Sequence, residues 1–209
     1  MLSKGRLEAF SDGVMAIAIT LLVLELTPPE HGDGVSLASA LWHRWPSYVA
    51  YVVSFLQIGV IWLNHHRMFA PVRAVDGTLL LLNLVLLMWI ALIPFPTAVV
   101  AENLRAGGSD ASTAMALYGG VMLLTAISFV ALYGWITHDE RIVGTLPSRR
   151  ALRVARLRFS VGLAAYTVAL LLSWVSAPLA LGLHAAMALY YAFDQATLQT
   201  ESVTSVEAG

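Results

Sequence analysis

Arg6-Leu-Glu-Ala-Phe10-Ser11-Asp12 runs straight into Gly13-Val-Met-Ala-Ile17-Ala-Ile-Thr20-Leu21-Leu22-Val-Leu24. Polar groups stand at the mouth of an apolar helix nearly long enough to cross a bilayer, whose hydrocarbon core of about 30 Å takes roughly 20 helical residues. A charge at that depth is costly unless it is paired or wetted. Taken alone, the stretch is either an interfacial anchor or a structural lock at the entrance of a pore.

The chain around it decides the class. Of its 209 residues, 58% are apolar and only 12% charged, with a mean hydropathy of +0.75. Soluble domains carry about 25% charged residues. The expectation is an all-α polytopic membrane protein. Residues 1–198 form one six-helix domain, and 199–209 form a short, polar, disordered cytoplasmic tail. The absence of cysteine excludes disulfides and thiolate metal sites. Glu8 and Asp12 precede the first apolar run, and Thr27-Pro28-Pro29 after it is no small-x-small cleavage site, so that run reads as a retained helix.

Six apolar segments follow from hydropathy: about Phe10 to Leu26, Pro46 to Asn64, Thr78 to Val100, Ala114 to Ile136, Phe159 to Val175 and Pro178 to Leu198. The third carries Pro94 and Pro96. Gly119 and Gly120 interrupt the fourth, and Ser176-Ala177-Pro178 makes a tight turn between the last two. Ten basic residues fall in the gaps on one side: Lys4, Arg6, Arg67, Arg73, Arg141, Arg149, Arg150, Arg153, Arg156 and Arg158. Only Arg44 and Arg105 fall on the other. Basic residues accumulate in cytoplasmic loops. Both termini are therefore expected in the cytoplasm, which requires an even number of spans. The arginines between Arg141 and Arg158 either set topology alone or also hold anionic lipid head groups. No nucleic-acid partner is expected.

On the first helix, Ile17, Leu21 and Leu24 share a face, with Thr20 beside it. Gly13, Ala16 and Ala18 permit close helix–helix approach. Arg6 and Asp12 fall on different faces, so each should reach a neighbouring helix. The second span ends in Trp62-Leu-Asn64-His65-His66-Arg67-Met-Phe69, which should lie at the same cytoplasmic level. A carboxylate, an imidazole and a guanidinium at one depth can form an interhelical network. Adjacent histidines diverge on a helix, and no HExxH or i,i+4 histidine pair is present, so no metal site is expected. A hydrogen-bonding role suits the histidines, with proton sensing as the alternative.

These residues resemble the endosomal/lysosomal potassium channel family (transmembrane protein 175 type). The resemblance rests on Arg6 and Phe10-Ser11-Asp12 with the Ile17…Thr20-Leu21 pattern, on Trp62…Asn64-His65…Phe69, and on Leu92-Ile-Pro94-Phe95-Pro96-Thr97. It covers the first three segments; the last three match in number and hydrophobicity only. It implies a homotetramer of six-helix subunits whose first helices line a central pore. Ile17, Leu21 and Leu24 would form an apolar constriction, with Thr20 as a polar layer. Arg6, Ser11, Asp12, Trp62, Asn64, His65 and His66 would tie that helix to its neighbours, His65 being preferred over His66. The implied activity is a leak-type, potassium-preferring cation channel without cofactor, with potassium as the permeant ion. No Thr-Val-Gly-Tyr-Gly filter is present. The alternatives are a secondary transporter and a membrane enzyme or quinone-binding subunit. Against a transporter stands the expectation that no ionisable residue lies near a midplane, since Asp12, Glu25 and Asp194 sit near helix ends. Against an enzyme stands the lack of a nucleophile or metal-ligand set.

Overall fold

The computed structural model describes residues 3–29, 34–146 and 148–207, without the side chains of residue 151 and of 193–207. Among the described residues every regular element is helical: α1 (Lys4–Leu21), α2 (Leu37–His43), α3 (Trp45–Phe69), α4 (Gly77–Leu92), α5 (Pro94–Asn103), α6 (Gly108–Ile136), α7 (Glu140–Val143), α8 (Arg149–Leu172) and α9 (Ala177–Glu207). A 3₁₀ turn, Leu22–Glu25, tightens the end of α1. All-helical structure meets the demand of lipid, because each helix satisfies its own backbone polar groups.

Five stretches are long and apolar enough to cross a membrane: Lys4–Glu25, Trp45–Phe69, Gly77–Asn103, Gly108–Ile136 and Leu152–Leu172. They correspond to the first five sequence segments. The described apolar part of the sixth, Ala177–Ala192, is shorter. Its helix does not stop at the polar tail but runs on to Glu207. Residues 195–201 (Gln-Ala-Thr-Leu-Gln-Thr-Glu) contain no proline or glycine, and a helix already nucleated propagates through such residues at little cost.

The third segment is one span in two pieces. Pro94 and Pro96 lack the N–H groups that would continue the ladder, so α4 ends at Leu92 and α5 starts at Pro94. α8 begins ten residues before the apolar pattern does, because Arg149 to Arg158 is a good helix former despite its charge. Gly119 marks a close approach between α6 and α8. A Cβ there would stand 3.2 Å from the Leu170 Cα.

α6 packs on α4, α5, α8 and α9; α3 packs on α1, α5 and α9. The core is built from residues such as Leu22, Ile58, Leu86, Ile90, Met115, Tyr118 and Leu132. α1 lies at the side of this bundle against α3 and α4, burying Leu7, Ser11, Met15, Ala18 and Leu22. Those positions recur at three or four residues and make one helical face. The opposite face of α1 has no partner among the described residues.

A latched helix with an exposed apolar face

The two faces of α1 have different chemistry. Its N-terminus and the C-terminus of α3 lie at one level, as the Lys4 ammonium donating to the Ala70 carbonyl (2.9 Å) shows. One turn and more above, the Trp62 indole N–H donates to Asp12 Oδ1 at 2.9 Å. Deeper in the bundle, His65 Nε2 lies 2.8 Å from Asn83 Oδ1. Asn83 Nδ2 donates to Ser11 Oγ at 2.9 Å, and the Ser11 hydroxyl donates to its own helix at the Leu7 carbonyl. Ser11 and Asn83 are fully buried, and His65 is nearly so. Three helices are therefore joined by a relay of polar atoms in an apolar setting. The His65 ring stacks on Phe69 with centroids 4.4 Å apart, which fixes its plane.

The structure brings together Ser11, Asp12, Trp62 and His65 from the sequence-derived set. The partner of the carboxylate is an indole rather than a histidine or arginine. His66 points outward, its ring 6.3 Å from that of Trp62, and Asn64 donates back to the Val60 carbonyl of α3. Arg6 is exposed and is not drawn into the relay. The two adjacent histidines diverge as helix geometry requires. Asn83, the centre of the relay, was missed. Its signal was present: one amide inside the run Leu79-Leu-Leu-Leu-Asn83-Leu-Val-Leu-Leu, where a polar side chain needs an interhelical partner.

On the outward side, Ile17 is 60% exposed, Leu21 41% and Leu24 67%. Thr20 stands between them, exposed, with its hydroxyl donating to the Ile17 carbonyl at 2.9 Å. Its proton is thus occupied within the helix, and the oxygen remains an acceptor on that face. Arg6, Phe10, Gly13, Ile17, Thr20 and Leu24 continue one exposed stripe along the whole helix.

A second polar cluster, unforeseen from sequence, lies at mid-bundle. Ser54 Oγ meets Thr97 Oγ1 at 2.8 Å and Tyr118 Oη at 3.1 Å. The Tyr166 hydroxyl donates to Gln57 Oε1 at 2.8 Å, and Gln57 Nε2 donates to the His184 carbonyl at 3.0 Å. The His184 ring is fully buried between Tyr118 and Tyr166, with centroids 5.0 and 5.7 Å away. Among the described residues neither of its ring nitrogens has a hydrogen-bond partner. Gln57, at the midpoint of α3, bonds the His184 carbonyl, so the ionisable ring of His184 lies near the bundle's middle, against the expectation drawn from Asp12, Glu25 and Asp194. His184 was overlooked because its neighbours Leu183 and Ala185 read as ordinary apolar helix.

These features define a polytopic α-helical membrane protein with polar latches between helices and an unpaired apolar face on its first helix. Comparison with known proteins identifies it further. The model of the family described as "Endosomal/lysosomal potassium channel TMEM175" matches residues 6–94. A potassium channel of Streptomyces collinus is 44% identical over 205 residues, covering 98% of this chain and 99% of the relative. The crystal structure of a lysosomal potassium-selective channel TMEM175 homolog from Chamaesiphon minutus superposes with a TM-score of 0.82 at 40% identity, over 92% of this chain and 97% of that one. The endosomal/lysosomal proton channel TMEM175 of Gallus gallus is 40% identical over 109 residues, which is 48% of this chain and 22% of that protein. The chain belongs to the TMEM175 channel family. The likeness to the bacterial relatives extends through the last three segments, which the sequence patterns alone had matched only in number and hydrophobicity.

Proposed function

We propose that this chain forms a potassium-preferring, leak-type cation channel in the cell membrane, as a homotetramer whose four α1 helices surround the pore. The observation that carries this reading is the exposure of Ile17, Leu21 and Leu24 on α1, away from the face that packs on the bundle through Leu7, Ser11, Met15 and Ala18. The latch behind that stripe holds α1 in place, as a helix whose position sets the width of a conduit requires. Family membership and the names of the bacterial relatives support potassium as the permeant ion, with no cofactor.

In this reading the constriction offers an ion no ligands. Rings of isoleucine and leucine close by narrowing and dewetting. When such a ring is partly open, a passing ion must shed some of its water. Potassium holds water less tightly than sodium and passes more readily, so selectivity should be moderate. Thr20 supplies a layer of acceptor oxygens between two apolar rings. Ser11, Asp12, Trp62 and His65, with Asn83, hold α1 to α3 and α4, and Arg6, Asn64 and His66 complete the cytoplasmic rim. α9 supplies the sixth span, which returns both termini to the cytoplasm and puts the Arg141–Arg158 stretch at head-group level.

The test is current through the purified protein in planar bilayers under potassium/sodium bi-ionic conditions, for the unaltered chain and for Ile17→Asn, Leu21→Asn and Leu24→Asn. At the narrowest ring, asparagine should wet the pore and bring sodium current up toward potassium current. If all three variants assemble and the reversal potential stays put, α1 does not line the pore. The mass of the purified assembly independently tests the count of four. A secondary transporter is the second reading, favoured by the buried polar cluster around His184 and Gln57; it predicts saturable flux in place of ohmic current.

A further inference from the structure

His184 is a buried ionisable group that the pore reading does not use. Its ring has no exposure, and among the described residues neither nitrogen has a hydrogen-bond partner. Three helices pack on α9 around it: α3, α6 and α8. They bring Gln57, Tyr118 and Tyr166 to His184. The Tyr118 ring stands edge-on with centroids 5.0 Å apart, and the Tyr166 ring is tilted by 38° at 5.7 Å. Both phenols are already engaged, Tyr118 as the acceptor from Ser54 and Tyr166 as the donor to Gln57. Tyrosines aside, the nearest ionisable residues along these helices are His65 on α3, Asp110 on α6, Arg158 on α8 and Asp194 on α9. Each lies at least eight positions away, about 12 Å of helical rise or more. A crevice of about 630 Å³, open mouth included, runs between α3, α6 and α8, lined by Met122, Phe129, Phe159, Gly162 and Tyr166 among others. Tyr166 therefore stands both on this crevice and against the His184 ring.

We propose that His184 is an acid-operated release for the bundle: a proton on its ring drives Tyr166 off Gln57 and loosens α8 and α9 from α3. Neutral imidazole carries one N–H and one bare nitrogen. Hydronium gives the bare nitrogen a proton and leaves as water, so the ring gains a second N–H and a full charge. In the closed cluster neither donor has an acceptor in place, and a buried charge left unpaired costs far more than a buried dipole. Tyr166 is the neighbour able to give way, because the crevice lies beside it and it retains 8% exposure, against 1% for Tyr118. Its departure admits water to the imidazolium and breaks the hydrogen bond that ties α8 to α3. Opening takes up a proton, so the closed form is fully favoured above the ordinary imidazole range near pH ~6.5 and loses ground as pH falls below it. One proton shifts that equilibrium by at most about tenfold per pH unit. The proposal does not depend on which helix lines the pore, and ion current is not its readout, so the two readings fail separately.

Hydrogen–deuterium exchange of the purified assembly tests it, at neutral pH and at a pH about 1.5 units below the imidazole range, with the intrinsic pH dependence of exchange divided out. In the unaltered chain, peptides from the middle of α8 and from α9 around His184 should exchange at least several-fold faster in acid. His184→Phe and His184→Leu take up no proton there, and both should hold the same peptides equally protected at the two pH values. Tyr166→Phe keeps the ring but unties Gln57, and it should raise exchange at neutral pH toward the acid level. Full protection of these peptides in the unaltered chain in acid would overturn the proposal. So would an equal acid response in both His184 variants, which would place the sensor elsewhere. Exchange in Tyr166→Phe as slow as in the unaltered chain at neutral pH would also overturn it, since the tie to Gln57 would then not be what acid breaks.

Discussion

Two buried polar clusters hold this bundle, and they divide its helices between them. The relay of Ser11, Asn83 and His65 joins α1, α3 and α4 toward the end of the bundle where α1 begins and α3 ends. The cluster of Ser54, Gln57, Thr97, Tyr118, Tyr166 and His184 joins α3, α5, α6, α8 and α9 at mid-bundle and touches neither α1 nor α4. Only α3 belongs to both. The first cluster thus fixes the helix that presents the apolar stripe, whereas the second fixes the frame against which that helix is fixed. Damage to the first should reach conduction and assembly together. Damage to the second should lower stability while leaving ion preference alone.

The largest effect should come from Asn83→Leu. It removes the acceptor from His65 and the donor to Ser11, two groups with almost no exposure. A stranded buried polar group costs about 1–3 kcal/mol in soluble proteins. Interhelical hydrogen bonds in membranes average nearer ~0.6 kcal/mol, with a maximum of ~1.7, because the unfolded helices also find partners. Two groups stranded at once should therefore cost about 1–3 kcal/mol, read as loss of the assembled species in size-exclusion profiles and a lower Tm. Adding Ser11→Ala and His65→Leu should restore much of the loss. If Asn83→Leu alone behaves like the unaltered chain, the relay does not hold α1. Asp12→Ala should be milder, since Asp12 is exposed within the chain and its hydrogen bond comes from an indole at the surface.

How far the sequence revealed these clusters follows from where their residues lie. Phe10-Ser11-Asp12 and Trp62…Asn64-His65 are compact and sit at helix ends, where a polar run against an apolar one is conspicuous. Asn83 stood out by chemistry but not by position. The second cluster is spread over five helices, with one or two polar residues in each, and tyrosine or serine in a membrane helix is unremarkable alone. Only packing brings Gln57 to Tyr166, 109 positions away. The spans were legible because lipid imposes length and hydropathy. The break at Ile93 was legible from Pro94. The early start of α8 was not, because its first turns are charged and amphipathic rather than apolar. The outward face of α1 carries no distinctive chemistry, and Ile17, Leu21 and Leu24 became a stripe of interest through resemblance.

Gln57→Leu sharpens the contrast from the other side. It strands the Tyr166 hydroxyl and the His184 carbonyl, and it should cost about 1–2 kcal/mol by the same membrane values. Gln57→Leu with Tyr166→Phe should recover part of that cost, because one of the two orphaned groups is gone. The comparison predicts that the reversal potential under potassium/sodium bi-ionic conditions stays unchanged in both variants. A shift as large as that of an α1 variant would mean that the mid-bundle cluster also governs the pore, and the division of labour would fail.

The smallest effect should carry the opposite sign. His184 contributes its backbone carbonyl to the cluster, but its ring nitrogens find no hydrogen-bond partner among the described residues. Removing a buried polar group without a partner relieves its desolvation penalty, whereas removing a partnered one strands its mate. His184→Leu keeps the carbonyl and roughly the volume, and it gives up the edge-on contact with Tyr118, itself worth about 0.5–1.5 kcal/mol. The relief, about 1–3 kcal/mol, somewhat exceeds the lost ring contact that opposes it, so the net change should be a stabilisation of about 1 kcal/mol or less, seen as a slightly higher Tm at neutral pH. His184→Phe separates the two contributions. It keeps an aromatic ring against Tyr118 while removing both nitrogens, and it should stabilise more than leucine does. If both variants instead fall well below the unaltered chain, the nitrogens have a bonded role in the cluster. His184 would then belong with Gln57 among the groups that hold the frame.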